Sequence, residues 1–200
     1  MRSGSLCLLL CWASGTSATA APRSARVTLH CLTVDTPARA KQKPGTLPPE
    51  ATAEGIDKIA FVGDRVQADK VEYTPELTVT TTPANDETAD SFRDGLLQTF
   101  QENYDEVMRL AAPEGGFKVS DLQPPKVTAT KIGGIVGHRW QIDTIATFEG
   151  HRVPWRALNL TTVYRGRAYV VTAAGAIVNS ADLKPIADRF LASVRFDACR

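Results

Sequence analysis

Hydrophobic and polar positions first alternate along this chain, then recur with a longer period, then alternate again. From Arg26 to Val34, Val27, Leu29, Cys31 and Thr33 take every second place in a β-branched stretch. A period of two predicts a strand with those four residues on one face. The next segment, Asp35–Ile56, holds Pro37, Pro44, Pro48 and Pro49 among many Ala, Lys and Thr. Such a composition buries little apolar surface, and an exposed loop is expected there. Short strands are expected at Ile59–Val62 and Thr78–Thr81. The period then changes: Phe92, Leu96, Leu97, Phe100, Tyr104, Val107, Met108 and Ala111 recur at helical spacing. Asp86 or Thr88 can cap this helix, and Asp86, Glu87, Asp90 and Asp94 suit the positive end of its dipole. Pro113 and Gly115-Gly116 end it, and it should lie across a sheet.

The strongest β pattern runs from Lys126 to Ala174. Trp140, Ile142, Thr144, Ala146 and Phe148 alternate along one strand, and Glu149-Gly150 is a two-residue turn signal. With the turn placed there, Phe148 faces His151 and His138 faces a residue near position 161. Val153–Tyr164 is the returning strand. Arg165-Gly166 turns the chain again into Ala168–Ala173, completing a three-strand antiparallel meander. A second helix follows, capped by Asn179 or Ser180, with Leu183, Ile186, Ala187, Phe190 and Leu191 as its apolar stripe. Ser193–Phe196 leaves it as a short strand. This order of strands, helix, meander and helix predicts an α+β single domain with helices packed on an antiparallel sheet.

The first twenty residues carry a different message. Arg2 precedes the short apolar run Leu6–Trp12, and Ala18-Thr19-Ala20 is a small-x-small cleavage site. The segment reads as a signal peptide, with the mature chain starting at Ala21 in a periplasmic or secreted compartment. The run is too short for a transmembrane segment. Leu10 precedes Cys11 where a lipoprotein signal needs a small residue, which argues against a lipid anchor. Cleavage removes Cys7 and Cys11, leaving Cys31 near the start and Cys199 near the end. Paired thiols persist as disulfides in an oxidising compartment, so a Cys31–Cys199 bridge is expected. The formal net charge of +1, from 23 Lys+Arg and 22 Asp+Glu, gives no electrostatic reason to expect nucleic acid as partner.

Catalytic signatures are sparse. Beyond the leader there is no H-E-x-x-H, no G-x-S-x-G and no C-x-x-C. Gly133-Gly134-Ile135-Val136-Gly137 lacks the Lys-Ser/Thr of a phosphate loop and precedes a strand, so it reads as a turn or bulge. His30, His138 and His151 have no ligand-type neighbours at metal spacing. No catalytic residue, metal site or cofactor is expected. Asn159-Leu160-Thr161 matches a glycosylation sequon but falls mid-strand. Trp140 and Trp155 sit on adjacent strands, flanked by Arg139, Arg152 and Arg156. They read first as core, and otherwise as a ligand groove formed by Trp140, Trp155 and Arg156 for an anionic or carbonyl-bearing molecule.

Certain phrases in the last seventy residues resemble a known family. Gly133-Gly134 and Gly137-His138-Arg139-Trp140 lead into a long hairpin. Tyr169-Val170-Val171-Thr172 follows, then a loop, and a helix ending Phe190-Leu191-Ala192-Ser193-Val194-Arg195-Phe196. This pattern, over residues 57–197, resembles the PsbP/Mog1-like domains, including exported bacterial LpqN-type relatives. The resemblance implies an α/β/α sandwich, usually without catalysis, whose members bind proteins or support assembly. On that basis residues 1–20 are the signal peptide, 21–56 an added N-terminal strand and Pro-rich loop, and 57–200 the PsbP/Mog1-like domain. The expected function is an exported non-enzymatic accessory or protein-binding domain with an envelope or exported protein as partner. The alternatives are a small-ligand carrier with its pocket near Trp140 and Trp155, or an enzyme of unrecognised type.

Overall fold

Four long strands joined by tight turns form the centre of the fold: β9 (Lys126–Ile132), β10 (Ile135–Phe148), β11 (His151–Tyr164) and β12 (Arg167–Ala176). The computed structural model describes residues 26–36, 40–45, 47, 49–63, 65–68, 71–102, 118–148, 150–177 and 180–197. Phe148 pairs with His151 and His138 with Thr161, the register that the Glu149-Gly150 turn implies. The expected three-strand meander gains β9 as a fourth strand. Gly133 and Gly134 turn β9 into β10 with φ of +55° and +88°, a region costly for any residue with a Cβ.

The remaining strands widen this centre. They are β1 (Arg26–Leu29), β2 (Leu32–Asp35), β3 (Lys41–Pro44), β4 (Asp57–Val62), β5 (Val66–Ala68), β6 (Val71–Tyr73), β7 (Glu76–Pro83), β8 (Lys118–Ser120) and β13 (Arg195–Phe196). The main sheet has eight strands in the order β3-β4-β7-β12-β11-β10-β8, and β9 also pairs with β10. Every pairing in it is antiparallel. A smaller sheet has the order β1-β2-β13, and β5 pairs with β6.

Two expectations fail at the N-terminal side. Residues 26–34 are not one strand: His30, with φ of +52°, turns the chain between β1 and β2. Alternation alone could not mark this turn, because β-branched residues flank it on both sides. Nor is 35–56 without structure. It contains β3, which pairs with β4 at the edge of the main sheet, and a short helix α1 (Pro49–Ala53). The edge strand carries Lys41, Lys43 and Pro44, residues that discourage pairing with another chain.

Helix α2 spans Ala89–Glu102 and helix α3 spans Ser180–Ala192. At the start of α2, Ser91 N–H donates to Thr88 Oγ1 at 3.1 Å and Thr88 N–H donates to Ser91 Oγ at 2.8 Å. Thr88 is therefore the cap, with a reciprocal bond that satisfies two otherwise orphaned donors. Tyr104, Val107, Met108, Ala111 and the breakers Pro113 and Gly115-Gly116 lie outside the described residues. In α3, Pro185 falls inside the helix, where it has no N–H to give to the preceding turn.

The helices lie on opposite faces of the sheet. On the α3 face, Ile59, Phe61, Leu77, Val79, Leu158, Tyr169, Val171 and Ala173 meet Leu183, Ala187, Phe190 and Leu191. Leu32 and Val34 of β2 and Val194 close the same core. Phe61 and Phe190 meet edge-to-face at 5.4 Å. On the α2 face a second cluster joins Ala146, Val153, Trp155, Ala174 and Ala176 to Tyr73 of the β5–β6 hairpin. The fold is thus α+β, with helices on both faces of one antiparallel sheet.

Candidate functional site

Strand alternation decides where the chemistry-bearing residues point. On β10, His138, Trp140, Ile142, Thr144 and Ala146 share the α2 face. Arg139, Gln141 and Asp143 share the α3 face. On β11, Thr161, Asn159 and Trp155 belong to the α2 face, because they pair with His138, Trp140 and Thr144. Arg156 pairs with Asp143 and belongs to the other. The expected groove residues Trp140, Trp155 and Arg156 therefore do not converge: the two indoles lie on one face and the guanidinium on the opposite one.

Both tryptophans are taken up by packing. Trp140 is 3% exposed, and its Nε1–H donates to Thr161 Oγ1 at 2.8 Å. That bond satisfies the single donor of a buried indole. Trp155 packs edge-to-face on Tyr73 at 5.1 Å and tilted on Phe148 at 5.6 Å. Asn159 of the sequon lies within β11, paired with both Trp140 and Thr172, a poor place for a glycan.

Under α2 lies a polar cluster that no sequence motif announces. His138 is 2% exposed, and its Nε2 is 3.1 Å from Arg93 Nη1 and 3.1 Å from Asp90 Oδ1. Arg93 also reaches Asp94 through Nε at 2.8 Å. The Arg93 hydrogen bond holds Asp94 below the usual carboxylate range. Nε2 offers either one lone pair or one proton, so it serves Arg93 or Asp90 but not both at once. Nδ1 is buried without a partner among the described residues. A second histidine, His30, bonds Asp57 Oδ2 at 2.7 Å, and Arg167 reaches the same carboxylate at 3.4 Å. These contacts tie α2 and the β1–β2 turn to the main sheet. Among the described residues no group of three or more His, Cys, Asp or Glu could hold a metal ion.

Toward β8 and β9 the α3 face ends in polar residues. Arg156 grips Asp143 with Nε on Oδ1 at 2.6 Å and Nη2 on Oδ2 at 3.0 Å. Gln141 adds its Nε2 to Oδ2 at 3.0 Å. The guanidinium bonds hold the Asp143 carboxyl below its ordinary range despite partial burial, with a smaller contribution from Gln141. Beside this trio the sheet edge is interrupted. β10 pairs with β8 at residues 145–147 and with β9 at 135–141. Between them the chain bows out through residues 121–125, with Asp121 at φ of +53°. A backbone bond from Gln123 N to Asp143 O, 2.8 Å, pins the bow. The result is an open groove of about 380 Å³ lined by Gln123, Pro124, Pro125, Lys126, Gln141 and Asp143. The proline pair is its one local signal in the sequence.

No protein-family model matches the sequence, and no curated protein does. Solved structures do. Cyanobacterial PsbP (CyanoP) of Synechocystis sp. PCC 6803 superposes with a TM-score of 0.50 at 12% identity, covering 95% of this chain and 99% of that one. LpqN of Mycobacterium tuberculosis, involved in cell envelope biogenesis, gives a TM-score of 0.40 at 13% identity over 86% of this chain and 90% of that one. A Bacteroides thetaiotaomicron VPI-5482 protein gives 0.43 at 13% identity over 83% of this chain. This chain covers 45% of the Bacteroides protein's length. The fold is PsbP-like, as the closing phrases implied, and the likeness concerns the fold alone. No helix among the described residues is long and apolar enough to cross a membrane.

Proposed function

We propose that this chain is an exported, non-enzymatic accessory domain that docks on a protein of the envelope or exported compartment. The observation that carries the reading is that, among the described residues, the carboxylates at the groove and beneath α2 are engaged by cations. Asp143 is gripped by Arg156, Asp90 and Asp94 by Arg93, and Asp57 by His30 and Arg167. A carboxylate held by a cation has a lowered proton affinity and is a poor general base. The PsbP-like fold supports the same reading. The ligand-carrier alternative around Trp140 and Trp155 has less support, because both indoles are packed within the sheet layers.

Export rests on residues 1–20, which lie outside the described residues, with cleavage after Ala20. A Cys31–Cys199 disulfide belongs to the same proposal. Cys199 also lies outside the described residues, but Asp197 N donates to Cys31 O at 3.0 Å and Phe196 pairs with Leu32. The chain therefore passes beside Cys31 two residues before Cys199. The intact mass of the exported chain should match Ala21–Arg200 less two hydrogens. A retained leader, or two alkylatable thiols in the unfolded, unreduced chain, would refute this part.

Partner docking is tested by photo-crosslinking in the native compartment. Val136, 56% exposed, and Val62, 39% exposed, are the exposed large hydrophobics among the described residues. A photoreactive residue at either should capture one defined protein, absent when the label sits at exposed Gln98. Equal background at all three positions would remove the docking reading.

A further inference from the structure

We propose that the groove between β8 and β9 is a binding site for a neutral polyhydroxylated ligand, that is, a sugar. The proposal is independent of the partner-docking reading, since one domain can hold a sugar whether or not it docks on a protein.

The argument starts from what the groove has left to offer. Asp143 commits one oxygen to Arg156 Nε and the other to Arg156 Nη2 and Gln141 Nε2. A carboxylate accepts about four bonds, so roughly one lone pair remains. Gln141 keeps its carbonyl oxygen and its second amide hydrogen. Gln123 has used Nε2 on Asp121 O at 3.3 Å and keeps its carbonyl oxygen. Lys126 is exposed and donates no hydrogen bond among the described residues, though its charge acts on Asp143. Gln141 and Asp143 line the groove from β10, and Gln123, Pro124, Pro125 and Lys126 line it from the bow, so donors, acceptors and apolar rings are mixed in one lining.

That inventory discriminates between ligand classes. An anion pairs with Lys126 but leaves the carbonyl oxygens of Gln123 and Gln141 and the remaining lone pair of Asp143 without a donor. A cation would meet Lys126. A purely apolar ligand would bury Gln123, Gln141 and Lys126 without partners, which is costly. A hydroxyl both donates and accepts, so vicinal hydroxyls can take one bond from an amide or ammonium and give one to a carbonyl or carboxylate. The proline rings add apolar surface on which the C–H face of a pyranose can rest. The volume, about 380 Å³, is near the lower end of the roughly 300–1,000 Å³ typical of small-ligand sites. Preorganisation comes from below: the Arg156 fork fixes Asp143, Asp143 orients Gln141, and the Gln123 backbone bond pins the bow to β10.

The test is an NMR titration of the ¹⁵N-labelled mature chain with four probes: cellobiose, N,N′-diacetylchitobiose, glucuronate and glucosamine. A neutral disaccharide should give saturable shifts at Gln123, Lys126 and Gln141 in the millimolar range, stronger than either charged monosaccharide gives. Gln141→Ala should weaken the response by about tenfold or more with an unchanged melting temperature. If that variant fails to fold, Gln123→Ala on the exposed bow should weaken the same shifts. Absence of saturable shifts with both disaccharides, stronger binding of glucuronate or glucosamine, or shifts centred elsewhere would overturn the proposal. A free oligosaccharide and a polymer-bound glycan share this chemistry. Co-sedimentation with insoluble cellulose or chitin, displaced by the matching disaccharide, would assign the polymer. Disaccharide binding without co-sedimentation would assign the free sugar.

Discussion

Helices α2 and α3 read alike in the sequence, yet they are attached to the sheet in different ways. Each shows an apolar stripe at helical spacing. In α3 the stripe is sealed: Leu183 is 3% exposed, Ala187 0%, Phe190 1% and Leu191 7%. In α2 only Ala89 is buried, while Phe92, Leu96, Leu97 and Phe100 stay half-exposed. Its closest described attachment to the sheet is polar, through Arg93 and Asp90 to buried His138. A stripe therefore states which side of a helix faces the sheet. It does not state how deep the helix sits, because depth depends on the residues beneath. Under α3 those are Phe61, Val79 and Val171, which interdigitate with it. Under α2 they include His138 and Thr161.

This contrast can be broken by measurement. The largest effect is expected at Phe190, whose ring packs on Phe61: Phe190→Ala should cost about 3–5 kcal/mol in chemical denaturation. Phe92→Ala, at the matching place on α2, should cost only about 1–2 kcal/mol, since part of its surface is already in water. Equal losses would show that α2 is as deeply anchored as α3. Next comes the α2 cap. Thr88→Ala removes the acceptor for Ser91 N–H and should cost about 1 kcal/mol, with faster amide exchange in the first turn of α2 and none in α3. Exchange that accelerates in both helices would mean they open as one unit.

The smallest effect is on the acid limb of stability. Asp143 has a lowered folded-state pKa, chiefly from its Arg156 hydrogen bonds. A depressed carboxyl stabilises above its unfolded pKa of about 3.9, and that contribution is lost as pH falls through the lower folded value. With the pair partly solvated, the contribution should be at most about 1 kcal/mol. Arg156→Ala should shrink the stability lost between about pH 5 and pH 2. An unchanged acid limb would mean the pair is worth nothing net, and that the groove wall is held by the backbone bond alone.

Several elements are legible in the residues themselves. The β10–β11 register follows from Glu149-Gly150, because a two-residue turn leaves no freedom in which residues oppose each other. The α3 stripe and the Thr88 cap are equally local. The PsbP-like order of elements is legible from short phrases near the end of the chain. The β1–β2 turn at His30 is not, since no glycine or proline marks it and strand-forming residues flank it on both sides. β3 is hidden in a Pro-rich segment because its strand character comes from pairing with β4, not from its own residues.

Local periodicity and turn chemistry thus determined the central hairpins, the stripes of the two helices and the β10–β11 register. They act over a few residues, and the sequence records them directly. Alternation along β11 likewise put Arg156 on the face opposite its neighbour Trp155, whereas only tertiary structure decided which face each helix covers. It also decided that Asp90 and Arg93 find His138 across α2 and β10. The groove of Gln123, Lys126, Gln141 and Asp143 likewise exists only because β8 and β9 share one edge of β10 and leave a gap between them. Each of these is a juxtaposition of residues far apart in the chain, set by strand pairing and packing.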